Sequence, residues 1–158
     1  MGLTEYYFDQ EPCGEQYRVG LRAMLTISDV AQLIVVDPHS LMPKVHAFLD
    51  RLRPWLVDEV LVSSWPGTLL GGPQALRYRY RVDVAFTEIL VAAADGLYGW
   101  RHRDLPEDPA LFRGDGSLVM GVIAHERDAW VTVTPDELDT VSAVAPAWVR
   151  LLRPAHST

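Results

Sequence analysis

Residues 111–137, LFRGDGSLVMGVIAHERDAWVTVTPDE, decide the fold class. Gly114-Asp115-Gly116 is a tight-turn signal, because glycine reaches the positive φ that short hairpins need. It separates Leu111-Phe112-Arg113 from the apolar run 118–124, and the polar tetrapeptide His125-Glu126-Arg127-Asp128 separates that run from 129–133. The two runs are expected to pair across the tetrapeptide as a hairpin, and strands joined by so few residues must be antiparallel. Thr134-Pro135-Asp136-Glu137 then reads as a capping box with proline at the first helical position, so a helix starts there.

Working outward, Leu76, Tyr78, Tyr80 and Val82 alternate with Arg77, Arg79 and Arg81, which predicts a strand with tyrosines inward and an arginine face. Asp83 is placed to cap a helix from about Val84 to Asp95, with Gly96 as its stop. Upstream, Leu41, Val45, Phe48, Leu49 and Leu52 recur at helical spacing behind Ser40 as N-cap, and Pro54 ends the element. Residues 31–36 and 59–62 read as strands, with turns at Trp65-Pro66-Gly67-Thr68 and Gly71-Gly72-Pro73. Tyr17, Val19, Leu21, Ala23, Leu25 and Ile27 occupy alternate positions, which predicts another strand. Residues 1–15, polar and turn-rich, read as a loosely ordered arm, and Pro146 interrupts the last helix before Trp148, Leu151 and Leu152. This order lacks the regular strand–helix alternation of a doubly wound sheet. The expected architecture is α+β: a mainly antiparallel sheet with two to four helices packed on it, in one globular domain spanning 1–158.

Composition narrows function more than it defines it. The 158 residues are 49% hydrophobic and carry a net charge of -7, enough apolar content for a core and a field that repels phosphate, which argues against nucleic acid and anionic membrane as partners. Cys13 is alone, so no disulfide framework is expected and a cytoplasmic, reducing setting is the simpler reading. The first residues lack the basic start and apolar core of a secretory signal, and no apolar run approaches the roughly 18 residues of a membrane span. Phosphate-binding glycine loops, paired zinc-protease histidines, Cys/His metal spacings and the G-x-S-x-G turn are all missing. No cofactor and no metal are therefore expected, and enzymatic activity is the weaker expectation.

Three groups of residues remain as candidate sites. His125, Glu126, Arg127 and Asp128 form a polar hairpin tip, and with Trp130 and Trp65 they make a candidate partner-binding surface. Trp65 stands in a Pro-Gly turn and Trp130 is out of phase with its inward-facing neighbours, so both are expected to meet solvent. A His-Glu pair also suits proton transfer or metal ligation, and His102 and Asp104 are the residues to join it. The plainer reading is a water-facing turn. His46 and Asp50 share a helical face but read as a solvated pair. Arg77, Arg79 and Arg81 offer forked donors to an anion, against the plainer reading of a solvated face balanced by acids.

The segment LPEDPALFRGDGSLVMGVIAHERDAW (residues 105–130), preceded by ADGLYGW (residues 94–100), resembles segments of small uncharacterised bacterial proteins from GC-rich genomes. The resemblance implies a bacterial source and no catalytic role. Small acidic α+β proteins of bacteria include many immunity proteins and antitoxins. The leading functional expectation is thus a non-enzymatic, intracellular protein-binding module of immunity or antitoxin type, presenting an acidic surface to its partner. The alternatives are a small hydrolase or metal-dependent enzyme centred on His125 and Glu126, and a regulatory protein that binds a small ligand.

Overall fold

A computed structural model describes residues 2–156 and shows an α+β fold in which helices pack on one antiparallel sheet. The strands are β1 (Thr4–Phe8), β2 (Val30–Val35), β3 (Leu56–Val62), β4 (Ser64–Trp65), β5 (Thr68–Leu69), β6 (Ala75–Arg81), β7 (Glu107–Phe112), β8 (Leu118–Ile123), β9 (Asp128–Val133) and β10 (Leu152–Pro154). The helices are α1 (Gly14–Thr26), α2 (Pro43–Leu52), α3 (Val84–Ala92), α4 (Pro135–Val144) and α5 (Pro146–Val149). Eight strands form one sheet in the order β10-β1-β9-β8-β7-β2-β6-β3, every neighbouring pair antiparallel, while β4 and β5 make a separate small hairpin.

The region that decides the fold class follows its chemistry closely. β7, β8 and β9 form a meander through the Gly114–Gly116 turn and the 124–127 turn, with Gly116 at φ 88° and Arg127 at φ 55° in the left-handed region. The capping box is complete: Thr134 Oγ1 accepts from the Glu137 N–H, and the Glu137 carboxylate accepts from the Thr134 N–H. Asp83 caps α3 by accepting from the Phe86 N–H at 2.9 Å, and its other oxygen receives the Trp55 indole N–H at 2.8 Å.

Three expectations are corrected. Residues 17–27 are not a strand: α1 covers all but Ile27, its C-cap, because Tyr17, Gly20, Leu21, Met24 and Leu25 are buried at helical spacing, one stripe facing the sheet. This is the helix beyond the two to four expected. The arm expected over 1–15 contributes β1, which is paired on both sides, Tyr7 opposite Arg153 of β10 and opposite Trp130 of β9. Ser40 does not cap α2; the helix starts after Met42 with Pro43 at its first position, and the Ser40 hydroxyl donates to Asp37 instead.

The helices bury one face of the sheet. Tyr17, Leu21 and Met24 of α1, Phe48 and Leu52 of α2, Phe86 and Leu90 of α3, Val141 of α4 and Trp148 of α5 join Ala31, Leu33, Tyr80, Leu111, Val122 and Val131 in one core. Inside it the Trp100 indole N–H donates to the Tyr17 hydroxyl at 2.9 Å, and burial pushes that phenol up to about 12. Among the described residues the other face carries no helix. The β4–β5 hairpin folds over it, seating Trp65 against Ile34 and Ala75.

An ion-paired node closes the β8–β9 end. Arg113 Nε and Nη2 grip Glu137 at 2.8 and 2.6 Å while its remaining donors reach Ser117 Oγ and the carbonyls of Leu118 and Thr132. Both side chains are mostly shielded. Removing one partner of such a pair strands the other, so Arg113→Met is expected to cost about 3 kcal/mol in urea unfolding at neutral pH. The Arg113 guanidinium holds the Glu137 carboxyl below its ordinary range. The stabilisation is therefore present above the unfolded value of about 4.3 and is lost as the pH falls through the lower folded value. The difference in stability between wild type and Arg113→Met should shrink on going from pH 7 to pH 3, and an unchanged difference would refute the pairing as its source.

Candidate functional site

The helix-free face is where polar groups and open strands meet. Along β6 the alternation directs Tyr80 into the core and turns Arg77 and Arg79 to the open face. The register places Ala110, Gln32, Arg79 and Asp58 side by side on β7, β2, β6 and β3. On the other half of the sheet it places Arg153, Tyr7, Trp130 and Gly121 in a row across β10, β1, β9 and β8. Gly121 is small for a reason: the Trp130 ring lies over it, and a Cβ there would sit 2.5 Å from Cζ2.

The three arginines are treated differently. Arg81 Nη1 pairs with Asp83 at 3.2 Å and Arg77 Nη2 with Asp58 at 3.5 Å. Arg79 has no ion pair among the described residues. Its Nε donates to Gln32 Oε1 at 3.1 Å and its guanidinium stands 5.4 Å from the Phe112 ring centroid. Burial, and next the charge of Arg77, lower its affinity for a proton. The balance by acids thus holds for two arginines of the stripe and leaves the middle one.

The β4–β5 hairpin is pinned by a residue that sequence reasoning missed. Asp108 is buried in β7 with φ 49°, and its carboxylate accepts from the Trp65 indole N–H at 2.8 Å and from the Ala124 N–H at 3.0 Å. The β2–β7 register shifts beside it, as at a bulge. The only signal in the sequence was an acid pair, Glu107-Asp108, set between Pro106 and Pro109. Trp65 is consequently not solvent-facing: it is 8% exposed, and the surface that was to include it is corrected accordingly. Trp130 is half-buried, packed over Gly121 and close to Gly67 of the hairpin turn.

At the β8–β9 tip, Arg127 donates to Glu11 at 3.1 Å and lies 5.0 Å from the Tyr98 ring centroid, so it ties the tip to the start of α1 and to the 97–99 turn. His125 faces its neighbour Glu126 at 3.7 Å, with both side chains largely exposed, and Asp128 is exposed. His102 Nε2 lies 3.3 Å from Ser40 Oγ, and Asp104 is paired with Lys44 at 2.9 Å, which holds its carboxyl below the usual range. The two pairs thus have separate partners, and among the described residues no group of three or more His, Cys, Asp or Glu is placed to hold a metal ion. His46 and Asp50 line a shallow cleft with Arg53, Glu59 and Tyr78.

The remaining feature is the longer of the sheet's two terminal strands. β3 follows β6 at the end of the order and, among the described residues, has no strand on its outer side. It is seven residues long, and Val57 and Leu61 are 62% and 56% exposed, with Val60 also exposed. Leu69 on the adjoining hairpin is 83% exposed. Natural sheets usually blunt such an edge with charged side chains, proline, a β-bulge or a covering element; here Asp58 and Glu59 are the charges on it, and the register with β6 shifts between Leu56 and Asp58. Among the described residues no helix is long and apolar enough to cross a membrane. No family model, no curated protein and no solved structure matches this chain.

Proposed function

We propose that this chain is a cytoplasmic protein-binding module, of the class that includes immunity proteins and antitoxins, and that it captures an extended segment of its partner on the free edge of β3. The observation that carries the reading is that edge: a seven-residue strand, paired with β6 on one side, whose outward N–H and C=O groups meet no further strand among the described residues, with Val57, Val60 and Leu61 exposed along it. Strand addition supplies main-chain hydrogen bonds, and alternate side chains supply selectivity. Asp58 and Glu59, together with the net charge of -7, favour a basic partner segment. The lone Cys13 supports the reducing compartment.

The test is copurification from the native lysate with wild type, with Val57→Lys/Leu61→Lys, and with Val84→Lys as a control at an exposed valine on α3. Charges on the edge repel strand addition while leaving the core untouched, so unfolding free energies should agree within about 0.5 kcal/mol. The partner recovered with wild type should be retained by Val84→Lys and reduced at least about tenfold with the double variant, a loss of about 1.4 kcal/mol. Equal recovery by the double variant would remove β3 from the interface.

A further inference from the structure

The open face holds donors that the protein does not satisfy. Gln32 is 1% exposed in the middle of the sheet; its Oε1 accepts from Arg79, but its Nε2 has no hydrogen-bond partner among the described residues. Arg77 Nε is likewise buried and unpartnered. Buried polar side chains are nearly always paired, because leaving one unpaired costs the desolvation of that group. Both orphans are N–H donors beside Arg79, the arginine of the Arg77–Arg79–Arg81 stripe that has no ion pair among the described residues. A cleft of about 220 Å³ opens at Arg79, walled by Val30, Val57 and Phe112 and bounded by Asp58, Arg113 and Gly114. Arg113 spends all its donors on Glu137, Ser117, Leu118 and Thr132, and the Gly114 N–H is taken by Asp29, so Arg79 is the recognising group.

We infer that this cleft is a binding site for a small organic oxyanion, a carboxylate or phosphate monoester attached to a short apolar group. The guanidinium of Arg79 takes the anionic oxygens through its two terminal nitrogens, which make no hydrogen bond to the described residues, and so relieves its repulsion with Arg77. Gln32, tied to Arg79 Nε at 3.1 Å, holds the fork in place. The aliphatic and aromatic walls accept the ligand's carbon skeleton, and the volume, about seven waters at about 30 Å³ each, suits a group the size of benzoate. This ligand site goes beyond the strand-binding reading and does not depend on it.

The experiment titrates the protein with benzoate, phenyl phosphate and inorganic phosphate at constant ionic strength, following the side-chain Nε–Hε resonances of the arginines and the amide resonances of Gln32. Saturable shifts at Arg79 and Gln32 with either aromatic ligand are expected, and the stronger of the two identifies the anionic head. Binding should weaken at least tenfold in Arg79→Gln and less in Arg79→Lys, which keeps the charge and loses the fork. Arg81→Gln, on a side chain already paired with Asp83, should bind as wild type. Absence of saturable shifts in wild type with all three ligands, saturation by inorganic phosphate alone, or undiminished binding by Arg79→Gln would overturn the assignment.

Discussion

Replacing Gly20 by alanine is expected to destabilise the protein by about 3 kcal/mol, at the upper end of what overpacking one methyl costs. In a solvated helix the same change stabilises by about 1 kcal/mol, so the sign itself is informative. Gly20 lies in the buried stripe of α1, and a Cβ there would overlap the indole of Trp148. Trp148 cannot retreat, since it is fully buried and Phe8 meets it edge-on with ring centroids 4.9 Å apart. Trp148→Leu relieves the overlap, although it leaves a cavity and destabilises in its own right. In that background Gly20→Ala should become neutral or stabilising. The four proteins of the cycle, compared by urea unfolding, give a coupling of about 3 kcal/mol if α1 sits on Trp148 as described. Alanine behaving at position 20 as it does in an exposed helix would show that it does not.

The second large effect is expected at Asp108. Its carboxylate joins the β4–β5 hairpin to the sheet through Trp65 and fixes the start of the 124–127 turn through Ala124. Asp108→Ala removes two hydrogen bonds to a charged acceptor and strands a buried indole N–H, a loss of about 3 kcal/mol. Asp108→Asn keeps one acceptor oxygen and should lose about half as much. Hairpin release has its own readout: the Trp65 indole N–H resonance should move toward the position of a solvated indole and exchange faster in Asp108→Ala. A protected Trp65 N–H in that variant would mean that packing on Ile34 and Ala75 alone holds the hairpin.

What the sequence disclosed depended on how local the physics was. The meander from 111 to 133, the caps at Asp83 and Thr134, and the break at Pro146 are set by residues within a few positions of one another, and each appears where its turn or cap chemistry puts it. Residues 17–27 misled because apolar residues at every odd position also fill a helical stripe once Gly20 and Met24 are counted, and glycine carries no hydrophobic signal. β1 was missed because its pairing is remote: Thr4–Phe8 gains its stability from β9 and β10, more than 100 residues later. The opposite faces of Tyr80 and Arg79 followed from period two alone. Which arginine lacks an acid did not, since that depends on Asp58 and Asp83 arriving beside Arg77 and Arg81 through strand register and helix capping. The burial of Trp65 was equally illegible, because its partner Asp108 lies 43 positions away. The free edge of β3 is a property of the strand order, which no local pattern encodes.

The most direct test of the account is site-specific photocrosslinking in the native cell with a benzophenone amino acid placed in turn at Leu61, on the edge of β3, and at Val144, an exposed valine at the end of α4. The account predicts a discrete covalent adduct with one protein from position 61 and none from position 144. No adduct at 61, or the same adducts from both positions, would contradict it.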